Sequence, residues 1–88
     1  MRIKQEYKVR NIAGENVVIM QGRRGADLTR IISLNDSALL LWEALSDKDF
    51  LAEDAAEELM RNYEVDAPTA LADAQKWIDK LSECQLLE

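Results

Sequence analysis

The stretch Leu34-Asn35-Asp36-Ser37-Ala38-Leu39-Leu40-Leu41-Trp42 decides how the chain divides. It reads as the end of a strand running straight into a buried helix. Asn35 stands where a helix needs a cap, since its side-chain oxygen can accept from a free N–H of the first turn. Asp36 adds negative charge at the positive end of the helix. Ala38 to Trp42 are all apolar, and a helix apolar on more than one face is covered on several sides. The helix is expected over Asp36 to Leu45. The residues before it read as sheet, and those after it as helix.

Working upstream, Glu6 to Ile12 alternates apolar and charged residues until Asn11, the period of a half-buried strand. Ala13-Gly14-Glu15-Asn16 is a turn signal. Val17-Val18-Ile19-Met20 is continuous and rich in β-branched residues, which predicts a strand over Asn16 to Met20 covered on both faces. Gly22-Arg23-Arg24-Gly25 marks the next turn. Leu28 to Leu34 reads as a third strand, with Leu28, Arg30, Ile32 and Leu34 on one face and Thr29, Ile31 and Ser33 on the other. Tight turns on both sides of the second strand predict an antiparallel meander.

Working downstream, Ser46-Asp47-Lys48-Asp49 breaks the first helix. A second is expected over Leu51 to Asn62, capped by Asp49, with Ala52, Ala55, Ala56, Leu59, Met60 and Tyr63 inward. Asp66 caps a third that opens near Pro68 and runs to Cys84, because proline is tolerated in a first turn. On a helical wheel its inner stripe is Ala67, Ala70, Leu71, Ala74, Ile78 and Leu81, with Trp77 and Cys84 at one edge and Asp73 and Lys80 beyond. A large aromatic at such a border lines a groove or lids the core, and the lid is the commoner role.

The composition excludes several classes of function. At 88 residues the chain reads as one domain, 1–88, with a modest core. No apolar run approaches the length of a membrane span, and the N-terminus lacks a signal-peptide segment. The single cysteine, Cys84, fits a reducing compartment, so a cytoplasmic location is expected. There is no histidine, no cysteine pair for a metal and no glycine-rich loop opening a helix. Cys84 falls near the negative end of its helix, a position that does not activate a thiol as a nucleophile. The acidic residues lie on outer helix faces. No catalytic residue, metal or cofactor is therefore expected, and the chain reads as a non-enzyme.

The net charge of −6 is unevenly shared. Residues 1–34 carry seven basic and three acidic groups, and residues 35–88 carry four basic and fourteen acidic ones. Solvated surfaces explain most such splits. The other reading is a basic sheet side that attracts an acidic partner. Three strands followed by three helices, an α+β arrangement like a winged helix-turn-helix, raises DNA binding. From Asp66 to Glu88, however, five acidic residues face only Lys76 and Lys80. Such a helix repels phosphate, so no nucleic-acid partner is expected.

Leu34-Asn35-Asp36-Ser37-Ala38 with Trp42 and Leu45 resembles the Leu-Asn-acidic-small-Ala…Trp…Leu segment of the PqqD-like family. That family holds the pyrroloquinoline quinone biosynthesis protein D and related recognition elements for ribosomally made, modified peptides. Leu59, Tyr63-Glu64-Val65-Asp66, Asp73, Trp77 (where the family usually has Phe), Leu81 and Leu86-Leu87-Glu88 also fit. So does Tyr7-Lys8-Val9-Arg10 before a hairpin. The chain departs from the pattern where the family has a glycine after the first helix and another before the final leucine pair, the place of Gln85.

The resemblance implies a domain that binds the leader of a precursor peptide and presents it to a modifying enzyme, often a radical SAM enzyme. It implies that the leader adds as a strand beside the third strand, against the third helix. The peptide-binding residues would then be Leu28, Thr29, Arg30, Ile31, Ile32 and Ser33 on the edge. The helix wall would be Asp73, Lys76, Trp77, Lys80, Leu81 and Cys84. An edge strand offers unpaired main-chain groups to an extended peptide. Every second N–H points outward, and the sequence leaves open which parity does. An adaptor binding a folded partner is the alternative reading.

Overall fold

The alternation that reaches Val9 closes into a hairpin because Ala13 and Gly14 hold the chain at positive φ, 54° and 85°. β1 (Val9–Ile12) and β2 (Glu15–Met20) pair antiparallel across it, with Ile12 opposite Glu15. β3 (Arg30–Leu34) pairs antiparallel with β2, Asn16 opposite Leu34 and Met20 opposite Arg30. The order β1-β2-β3 makes β3 an edge. A computed structural model supplies this fold and describes residues 1–20 and 30–88. The expected turn at Gly22-Arg23-Arg24-Gly25 and the expected strand residues Leu28 and Thr29 lie outside the described residues.

β1 starts later than its alternation suggested. A turn in which the Tyr7 N–H reaches the Lys4 carbonyl bends the chain first. Before that turn, Ile3 is buried and bridges to Leu87.

Side chains alternate across a strand, and one parity meets the helices. Val18, Met20 and Leu34 share the core with the buried residues of all three helices, and Val9 and Ile32 pack against it. β2 was expected to be covered on both faces, and this is corrected. Val17 is buried, but Ile19 is half-buried and its partner Ile31 is 59% exposed. The helices pack on one face only, and Val17 on the outer face lies outside the core they share.

α1 (Asp36–Leu45) has the expected bounds, and the Ala38 N–H donates to Asn35 Oδ1 at 2.9 Å. Its Leu41, Trp42 and Leu45 are buried. α2 (Ala52–Asn62) is not capped by Asp49. Leu51 holds the cap position, and its N–H donates to the Asp54 carboxylate at 2.8 Å. This is half of a capping box, made from inside the helix, since leucine has no oxygen to return. Asp49 instead stands 3.9 Å from the N-terminal ammonium.

α3 (Ala67–Glu83) is capped by Asp66, which accepts from the Thr69 N–H at 3.0 Å. Hydrogen bonding from Thr69, through its side chain first and its main chain second, holds the Asp66 carboxyl below its ordinary 3.8. The inner stripe of α3 also differs from the wheel. Ala70, Ala74, Ile78 and Leu81 are buried, but Ala67 and Leu71 face solvent. Trp77 and Cys84 take the inner places, each 8% exposed. The Ala70, Ala74, Trp77, Leu81 and Cys84 spacing is that of a packing seam, rolled towards Phe50. The Phe50 ring lies 5.6 Å from Trp77 at 39°.

The helix ends in a Schellman motif. The Leu86 N–H donates to the Leu81 carbonyl at 2.9 Å and the Gln85 N–H to that of Ser82 at 3.0 Å. Gln85 occupies the left-handed position at φ 59°, where the family pattern has glycine.

Candidate functional site

A groove of about 560 Å³ opens beside β3. The strand contributes Ile32, Ser33 and Leu34 to it, and no residue of β1 or β2 lines it. It therefore runs along the edge of β3 that is unpaired among the described residues. The start of α1 supplies Asn35, Ser37, Ala38 and Leu41. Leu59 of α2, with Tyr63 and Val65 after it, closes one end. The far wall is α3, through Asp73, Lys76, Trp77, Lys80 and Leu81. Leu34, Leu41, Leu59, Trp77 and Leu81 are buried apolar groups, while Asp73, Lys76 and Lys80 are exposed. The result is an apolar trough with a charged rim on one side.

The hairpin sets which main-chain groups of β3 reach the trough. A two-residue turn with positive φ at both positions is closed by a pair that exchanges both main-chain bonds. Here that pair is Ile12 and Glu15. Bonded and non-bonded pairs alternate, so Arg10 and Val17 form the next bonded pair. The Asn11–Asn16 pair between them is non-bonded, and there the side chains meet, Asn11 Nδ2 donating to Asn16 Oδ1 at 3.4 Å. Val17 thus turns to β1, and Asn16, Val18 and Met20 turn to β3. Their partners Leu34, Ile32 and Arg30 answer them. Ile31 and Ser33 are left with N–H and C=O directed outward.

Of the residues expected to bind peptide, Ile32, Ser33, Asp73, Lys76, Trp77, Lys80 and Leu81 are brought together around the groove. Ile31 offers its main chain to the edge while its side chain stands on the outer face. Arg30 heads β3. Leu28 and Thr29 lie outside the described residues. Cys84 is a correction: it is buried in the core and does not line the groove. The roll of α3 carries it inward. The contributions of Asn35, Ser37, Ala38, Tyr63 and Val65 were not anticipated. The signal available for them was a pair of small residues in the first turn of the helix that follows the edge strand, and an aromatic shortly before the third helix.

Among the described residues, no group of His, Cys, Asp and Glu could hold a metal ion, and no helix is long and apolar enough to cross a membrane. The family model described as coenzyme PQQ synthesis protein D (PqqD) matches residues 15–87. The chain belongs to the PqqD family. No curated protein matches it. Among solved structures, this PqqD-family chain is similar to one titled "TbiB1 in Complex with the TbiA(beta) Leader Peptide". The two share 23% identity at a TM-score of 0.74, over 100% of this chain and 95% of that one. The PqqD fold, a three-stranded sheet followed by three helices, is thus common to both.

Proposed function

We propose that this chain acts as one peptide-binding domain. It captures the leader of a ribosomally made precursor peptide as an added strand and presents it to a modifying enzyme, of the radical SAM type in the family pattern. The observation that carries this reading is the free edge of β3, with Ile31 and Ser33 directed outward along an apolar groove. Main-chain bonds to that edge would supply affinity, and the pockets beneath alternate side chains would supply selectivity. Membership of the PqqD family and likeness to a structure that holds a leader peptide support it. Leader residues opposite Ile32 would descend into the groove. Those opposite Ile31 and Ser33 would stand on the outer face, open to the enzyme. The domain itself does no chemistry, and its single buried thiol suits the cytoplasm.

Two proline variants test this, against a peptide selected from a displayed library with the intact protein. Ile31→Pro removes an outward donor and leaves the ladder to β2 whole, so it stays folded and loses most of its affinity. Ile32→Pro breaks a ladder bond and loses stability. A folded Ile31→Pro that binds at full affinity excludes strand addition here.

A further inference from the structure

The rim of the groove carries a spacing that an extended chain can match. Lys76 and Lys80 both line the α3 wall and both are exposed. Neither takes part in an ion pair among the described residues. The acid between them, Asp79, is held by Gln75 at 2.9 Å and does not line the groove. Four residues of helix advance by about 6 Å. Two residues of strand advance by about 6.6 Å, and residues two apart share a face. Where the added strand lies along α3, two carboxylates at its alternate positions therefore meet the two ammonium groups together. Carboxylates on neighbouring residues cannot, because they point to opposite faces. Asp73, one turn before Lys76 on the same wall, disfavours a third acid at that end.

We propose that the peptide taken by this groove carries two carboxylates at positions i and i+2 on its helix-facing side, read by Lys76 and Lys80. This rests on strand addition at β3 and names the chemistry of the strand that is added.

The test uses two synthetic peptides of the same composition and charge. One contains Leu-Thr-Glu-Thr-Glu-Thr and the other Leu-Thr-Glu-Glu-Thr-Thr, within the same neutral flanks. Affinity is measured by titration at low ionic strength, and strand addition by amide exchange at Ile31 and Ser33. The neighbouring-acid peptide keeps one of the two ion pairs, so the one extra exposed pair predicts about a twofold advantage for the alternating peptide. The advantage disappears in a Lys76→Gln/Lys80→Gln variant, whose changes lie on an exposed surface. Equal affinities, or an advantage that survives in that variant, overturn the pairing while amide protection leaves strand addition standing. If neither peptide protects Ile31 and Ser33, strand addition fails and the pairing falls with it.

Discussion

Replacing Trp77 by phenylalanine should leave the protein nearly as stable as it is, although Trp77 is a buried aromatic of the core. The indole is 8% exposed and rests against Phe50. Its Nε1–H is buried and has no acceptor among the described residues. An unsatisfied buried donor costs about 1–3 kcal/mol. Phenylalanine removes that donor and keeps a ring against Phe50. It also gives up roughly 40 Å² of buried apolar surface, about 1 kcal/mol at ~25 cal/mol/Å², and leaves a small void. The two effects oppose each other, and Trp77→Phe should fall within about 1 kcal/mol of the parent. Trp77→Ala removes the ring altogether and should cost about 3–5 kcal/mol. Denaturant unfolding at unchanged m-value separates the two, with Trp42 left as the reporter fluorophore. A Trp77→Phe loss as large as the alanine loss would mean that the indole nitrogen does have a partner, and the reasoning would be refuted.

Gln85→Gly should stabilise the protein by roughly 0.5–1 kcal/mol, because relief of the left-handed conformation at φ 59° exceeds the added freedom of the unfolded chain; a lower denaturation midpoint would contradict this. Asp66 has a folded-state pKa below its ordinary 3.8, so its contribution to stability is fully present above that pH and is lost as pH falls through the lowered value. Asp66→Asn should therefore flatten the acid limb of the stability profile below about pH 4, with little change at neutral pH. An unchanged acid limb would remove the assignment.

What could be read from the sequence is what local chemistry decides. The Asn35 cap and the apolar run Ala38 to Trp42 set the bounds of α1, and Asp66 with Pro68 opened α3 at the right place. The β3 edge and most of the α3 wall were reached through the family resemblance, which the meander and the border position of Trp77 only supported. The errors share a different cause. Asp49 is a good capping residue, but the carboxylate that meets the start of α2 comes from Asp54 inside the helix. Leu71 is apolar and at helical spacing, yet α3 is turned so that Trp77 packs inward on Phe50 and Leu71 is 44% exposed. The same rotation removed Cys84 from the groove. Packing between distant segments sets such rotations, and no local pattern encodes them. The parity of β3 also needed the structure, because it follows from pairing across two strands and one turn.

The most direct test of the account is residue-resolved amide hydrogen exchange of the intact protein, free and with a bound leader-type peptide. In the free protein the Ile31 and Ser33 amides should exchange as open groups, while Ile32 and Leu34 are already protected by β2. On binding, Ile31 and Ser33 should become protected and Ile32 and Leu34 should change little. Tight binding that leaves Ile31 and Ser33 exchanging freely, or that protects the edge of β1 instead, would contradict strand addition at β3.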